Sequence, residues 1–338
     1  MASSLGAAVA VRSAPRHRVD APVVATAADL ALLGRPSTPA HDLDRHRRLL
    51  AVADGRIAYY VDDPGPGVDV PAIVWLHGLP LDARAWDAQR AHFHGRSRNV
   101  FVDLRGCGAS DRIPAGTRDV TGLYVADLKR LFDRLDLHGD ALVGFGVAGH
   151  VGLRFAALYP DAVGRLVVIN GSPRFRRGAG WPWGIDDAGI RQLDAAWASG
   201  GPAGLIDAML DPGRVLRDVT AVEVAVISAR FRAMAARTGA ATLTAFLDGI
   251  SRDDDRDLLP AITAATLLVT SPIGREVPPE VGLYLRHHIA ASLLAEIPGA
   301  DHFVFATRPR LVNLLLDQFL LRHAPLTLPL PREGHRER

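Results

Sequence analysis

The chain has 338 residues, 48% of them hydrophobic and 22% charged, which is enough apolar material for one large globular domain carrying an inserted subdomain. A formal net charge of +2 from 39 basic and 37 acidic residues argues against the basic stripe of a nucleic-acid-binding protein. One cysteine, Cys107, excludes an intramolecular disulfide and a cysteine-based metal site and suits a reducing cytoplasm, and even the apolar run 311–321 is broken by Asn313, Asp317 and Gln318, so no membrane span is expected.

Residues 1–45 begin Ala- and Ser-rich, with Arg12, Arg16 and Arg18 and no acid before Asp20. They are expected to form a mostly disordered N-terminal extension. Short β-branched and apolar runs follow at 49–53 and 56–61, paired around the turn Asp54-Gly55, and then at 72–76, 100–104, 141–145, 166–170, 265–271 and 293–297. Between them, segments 82–92, 120–135, 147–158 and 309–321 carry apolar residues at helical spacing. Strand and helix in alternation predict a mainly parallel eight-stranded sheet with helices on both faces. The rhythm breaks from 173 to 259, which reads as a helical cap inserted after the sixth strand. The core is therefore expected over 46–172 and 260–323, with a flexible tail at 324–338.

Four motifs occur in order along the core. Val74-Trp75-Leu76-His77-Gly78-Leu79-Pro80 follows a strand, as does Asp103-Leu104-Arg105-Gly106-Cys107-Gly108-Ala109-Ser110-Asp111. Leu142-Val143-Gly144-Phe145-Gly146-Val147-Ala148-Gly149 spans a strand, a turn and the start of a helix, and Ile297-Pro298-Gly299-Ala300-Asp301-His302-Phe303 follows the last strand. Together these resemble the α/β-hydrolase superfamily, in its epoxide hydrolase and enol-lactonase branch. The resemblance implies the α/β-hydrolase fold, a backbone oxyanion hole from the N–H groups of Leu79 and Val147, a catalytic histidine at His302, and a structural His77 bonded to backbone.

It also implies a G-x-S-x-G nucleophile elbow at the third motif. The glycines align so that Gly146 falls on the nucleophile, and counting back from Pro278 along the acid-bearing loop lands on Gly274. Both the serine and the acid of the triad are then expected to be lost, and an acyl-enzyme with them. Asn170, at the end of the sixth strand, could orient His302 by accepting its N–H, and Asp301 is a further neighbour. Glu276, two residues from the usual acid position, could reach in to support His302 if the loop is shifted, but the commoner reading of such a glutamate is a solvated one. Cys107 is the alternative nucleophile, weighed against a buried structural thiol. His77, Asn170 and Cys107 are further candidates for the pocket lining, with Phe145, Trp181 and Trp183, which would line an apolar pocket or else be core aromatics. His150, His287 and His288 lack metal-ligand spacing, and neither metal nor cofactor is expected.

Three functions fit these residues. The first is a non-hydrolytic enzyme in which His302 moves a proton on a small apolar carbonyl compound held by the oxyanion hole. The second is a retired hydrolase that binds a ligand or a protein partner, like the N-myc downstream-regulated family, whose elbow also has glycine. The third is a hydrolase using an activated water or Cys107.

Overall fold

Successive residues of the central strands face opposite sides of the sheet, and both sides are buried, which is why these strands read as continuous apolar runs. The computed structural model describes residues 10–12, 43–65, 70–210, 221–250, 252–272, 276–297 and 299–321. Its strands are β1 (Ala10–Arg12), β2 (Arg47–Val52), β3 (Gly55–Asp62), β4 (Ala72–Leu76), β5 (Arg98–Val102), β6 (Asp140–Phe145), β7 (Val163–Ile169), β8 (Ala265–Thr270) and β9 (Ser292–Glu296). They form one sheet in the order β1-β9-β8-β7-β6-β4-β5-β3-β2. Strands β4 to β9 run parallel, and the β2–β3 hairpin joins antiparallel through β3 and β5.

The eight expected strands are all present, and β1 adds a short ninth by pairing antiparallel with β9. The expectation of disorder over 1–45 is thus corrected at residues 10–12, and again at Leu43–His46, a 3-10 turn. The rest of that extension and the tail from 322 lie outside the described residues. The hairpin turn uses Asp54 at φ 57°, a conformation that aspartate tolerates better than most residues.

The α-helices among the described residues are α1 (Asp87–Phe93), α2 (Val120–Leu135), α3 (Val147–Leu158), α4 (Asp187–Met209), α5 (Ala221–Ala235), α6 (Ala240–Ile250), α7 (Pro279–His288), α8 (Val304–Thr307) and α9 (Pro309–Leu320). Val74, Leu142, Leu166 and Leu268 pack on one face with Leu128 of α2, Phe155 of α3 and Leu285 of α7. Their strand neighbours Trp75, Val143, Val167 and Leu267 pack on the other with Phe93 of α1 and Leu315 of α9. The helix expected over 82–92 begins as a 3-10 turn, Ala83–Trp86, because Asp82 caps it by accepting from the Arg84 N–H. Helices α4 to α6 occupy the segment expected as a cap, and α4 is kinked at Gly201, followed by Pro202.

Turn chemistry fixes the loop after β5. The Asp103 carboxylate accepts from Tyr60 Oη at 2.8 Å, the Ala83 N–H at 2.8 Å and the Ala109 N–H at 2.7 Å. Gly108, at φ 55°, packs on that carboxylate so closely that a Cβ would stand 2.1 Å from Asp103 Oδ2. Glycine is required there by both the backbone and the space.

Candidate functional site

In open α/β sheets, ligands gather at the carboxyl ends of the strands, and four such ends converge here. Strand β6 ends at Phe145 and α3 begins at Val147, so the chain reverses direction at one residue, Gly146. Its φ and ψ are 57° and −117°, a region open to glycine and strained for other residues. The Gly146 N–H donates to Ile169 O at 2.9 Å, and its carbonyl accepts from the Gly149 N–H at 3.0 Å.

The glycines of this turn differ in their surroundings. A Cβ on Gly144 would stand 2.3 Å from Ala148 O, so packing demands glycine there. A Cβ on Gly146 would meet only His302 Nε2, at 3.7 Å. Space exists at Gly146, and it is directed at the imidazole. Beside it, Val147 opens α3, so its N–H has no partner within the helix and carries the positive end of the helix dipole.

His302 sits on the loop after β9, buried, with its ring 4.8 Å from that of Phe145. Its Nδ1 faces Glu276 Oε2 at 3.9 Å. Burial holds the imidazole pKa below the ordinary histidine value, opposed by the negative charges of Glu276 and Asp301. Of the two readings of Glu276, the solvated one is corrected: its side chain is only 20% exposed and lies in the cavity wall.

Asn170 does not accept from the His302 ring, contrary to the sequence expectation. Its amide is engaged with backbone, donating to the His302 carbonyl at 2.7 Å and accepting from the Ser271 N–H at 3.0 Å. Asp301 is likewise committed elsewhere, accepting from the Phe303 N–H at 2.7 Å and from Thr307 Oγ1 at 2.6 Å. Gly274 lies outside the described residues.

Leu79, Phe145, Gly146, Val147, Glu276 and His302 meet around one cavity of about 80 Å³. Its remaining walls are almost wholly apolar and come, apart from Gly78 and Pro80, from the segment after β7, including Phe175, Leu205, Leu243 and Phe246. Sequence reasoning missed these four; no motif marks them, and the pattern along the chain does not show which face of each helix turns to the cavity. A wider groove of about 610 Å³, bordered by Arg177, Asp186 and Asp207, shares Ile185, Leu193, Met209 and Glu276 with the cavity.

Trp181 and Trp183, like His77, Asn170 and Cys107, are not among the cavity's lining residues. Trp181 is fully buried, and both indoles pack on Tyr284 of α7, so they are core aromatics. Cys107 is also removed from the candidates. It is buried, Thr238 Oγ1 donates to its sulfur at 3.7 Å, and desolvation pushes its thiol pKa far up, so no thiolate is offered. His77 is structural as expected: Nε2 accepts from the Leu104 N–H at 3.0 Å, which leaves Nδ1–H to donate to Gly78 O at 3.0 Å. Among the described residues, no group of three or more His, Cys, Asp or Glu side chains is placed to hold a metal ion, and no helix is long and apolar enough to cross a membrane.

Comparison with known proteins agrees with this architecture. The chain is 27% identical to the AB hydrolase superfamily protein YisY of Bacillus subtilis over 270 residues, 78% of this chain and 95% of that one. It is 33% identical over 129 residues to a pimeloyl-acyl-carrier-protein methyl ester esterase of Nitrosomonas europaea, a match spanning 38% of this chain and 47% of the esterase. The bromoperoxidase of Bacillus anthracis superposes with a TM-score of 0.70 at 25% identity, covering 81% of this chain and 99% of that one. The model of the α/β hydrolase family matches residues 73–313. The chain belongs to that family.

Proposed function

We propose that this family member works without a covalent acyl intermediate, as a general-base enzyme acting on a small apolar carbonyl compound. The observation that carries this reading is the direction of the open space at Gly146. A side chain there would point at His302 Nε2, so the elbow geometry supports a base with no nucleophile for it to activate. The acid position at Gly274 is read as lost too, and Glu276 stands in for it on the other side of the ring.

The proposed steps follow from the placement of these groups. The substrate carbonyl oxygen lies toward the N–H groups of Leu79 and Val147, with its apolar body against Phe145 and the walls contributed after β7. His302 Nε2 takes a proton from the carbon next to the carbonyl. The C–H electron pair forms the C=C bond of an enolate as the carbonyl π pair moves onto oxygen, and the two N–H groups and the end of α3 stabilise that charge. Glu276 stabilises the imidazolium, which then returns the proton to carbon. Burial favours the neutral, basic form of His302 and so keeps the base active below the usual histidine range.

A second reading, hydrolysis by a water held between Gly146 and His302, gains from Glu276, because that acid supports the base it needs. It would appear as linear, burst-free release of nitrophenol from p-nitrophenyl acetate.

Deuterium exchange tests the first reading. Incubation of 2-pentanone or cyclopentanone with the protein in D₂O, followed by proton NMR, should show exchange at the carbons next to the carbonyl well above the buffer rate. His302→Ala should return it to that rate. Equal exchange by both proteins would remove His302 from the mechanism. Buffer-rate exchange by the native protein would favour a retired scaffold that binds a ligand or a protein partner.

A further inference from the structure

Three described residues other than glycine have positive φ: Asp54, Asp136 and Asn170. The two aspartates lie in exposed turns, whereas Asn170 is buried, at φ 46° and 2% exposure. A buried residue is held in a disfavoured conformation only where its surroundings fix it. Here those surroundings are the two loops that carry His302 and Glu276.

Asn170 follows β7, and its backbone N–H donates to Val269 O of β8 at 2.9 Å. Its side chain then bridges outward. Oδ1 accepts from the Ser271 N–H at 3.0 Å, Nδ2 donates to Ser271 Oγ at 2.9 Å, and Nδ2 also donates to the His302 carbonyl at 2.7 Å. Ser271 is the first residue after β8, on the stretch that leads to Glu276. A planar amide has two donors and an acceptor on one rigid frame, and this one ties the root of the Glu276 loop to the backbone of His302 itself.

We infer that Asn170 is a positioning residue that sets the spacing of the Glu276–His302 pair, a role that rests on the proposed pairing of those two groups. The chemistry selects asparagine. Aspartate has no donor for the His302 carbonyl, leucine bonds neither loop, and serine is too short to span both. The pair itself stands at 3.9 Å, beyond hydrogen-bond distance, so small changes in loop spacing change how strongly the carboxylate acts on the ring.

A double-mutant cycle read on His302 itself tests this. With protein labelled with ¹⁵N-histidine, the His302 signal is identified by its loss in His302→Ala, and its titration is followed in four proteins: native, Glu276→Gln, Asn170→Gly and the double variant. Glycine suits the positive φ and removes all three side-chain bonds. With Asn170 in place, loss of the Glu276 charge should lower the His302 midpoint by about one unit. In the Asn170→Gly background the same change should lower it by about a third of that or less. An equal shift in both backgrounds would overturn the positioning role while leaving the pair intact. No shift with Asn170 in place would overturn the pair, and the positioning role with it. If Asn170→Gly does not fold, Asn170→Ser, which can reach only one loop, takes its place with the same two outcomes.

Discussion

The floor of the cavity and its roof are built on opposite principles. The floor is the sheet's carboxyl edge, where Leu79, Gly146, Val147, His302 and, one loop away, Glu276 meet. Gly146 is held there by backbone hydrogen bonds, the His302 carbonyl by the Asn170 amide, and Gly78 and Gly144 pack with no room for a side chain. The roof, contributed by residues between β7 and β8, presents Phe175, Leu205, Leu243 and Phe246 and little polar chemistry. It is fastened to the floor at its stems. His150 of α3 contacts Asp255 Oδ2 through Nε2 at 2.6 Å and Ser172 O through Nδ1 at 2.9 Å, and Arg154 donates to the same Asp255 carboxylate at 2.6 Å. Under the proposed function the difference separates two kinds of control: the groups that would move protons come from the floor, and the shape that would select a substrate comes from the roof.

Substitutions on each side should therefore fail in different ways. The largest expected effect is on the floor, where His302→Ala should cost about 10² to 10⁴ in turnover, the range typical of a lost general base, while ligand affinity measured by thermal shift stays near native. Loss of affinity in parallel with turnover would erase the division. Next comes Glu276→Gln, expected to lower turnover about tenfold and to alter its pH dependence. Activity needs neutral His302, so the rate should rise with pH through a midpoint below the ordinary value of about 6.5. Without the Glu276 charge, which raises the His302 pKa, that midpoint should fall further; an upward move would contradict the pairing.

On the roof, Leu193→Ala should act on binding alone. It touches both the cavity and the outer groove, and truncation removes about 1 to 2 kcal/mol of apolar contact, equivalent to roughly a five- to thirtyfold rise in KM with kcat within about twofold. A fall in kcat instead would mean that the roof positions the reacting atoms. The smallest functional effect belongs to Trp181→Leu, which should reduce stability by about 2 kcal/mol through lost packing on Trp183 and Tyr284 and leave kinetics unchanged. Calorimetry and steady-state rates on the same sample decide it.

The floor was legible in the sequence because backbone geometry constrains its residues. Gly146 must make a sharp strand-to-helix turn, Gly108 must lie against Asp103, and His302 follows the last parallel strand, so spacing and residue type mark all three. Glu276 was legible only as the less favoured of two readings: its approach to His302 depends on the shape of a loop, and counting along the chain from Pro278 pointed to Gly274 as the acid position. Asn170 was matched to His302 but through the wrong atoms, because sequence shows an amide and not which way it turns; it donates to the His302 carbonyl rather than accepting from the ring. The two tryptophans were left with two readings for a related reason. Large aromatics fill cores and line pockets alike, and only the position of Tyr284 on α7 assigns them to the core.

The central claim, that the elbow keeps its geometry but offers no nucleophile, is tested most directly by mass spectrometry of the intact protein after brief exposure to p-nitrophenyl acetate. The native chain should gain no acetyl group. Gly146→Ser should gain one, at residue 146, because a Cβ there lies 3.7 Å from His302 Nε2 with no other close neighbour, although the strained backbone should cost the variant about 1 to 3 kcal/mol of stability. Acetylation of the native protein, or a folded Gly146→Ser variant that remains unmodified, would contradict the claim.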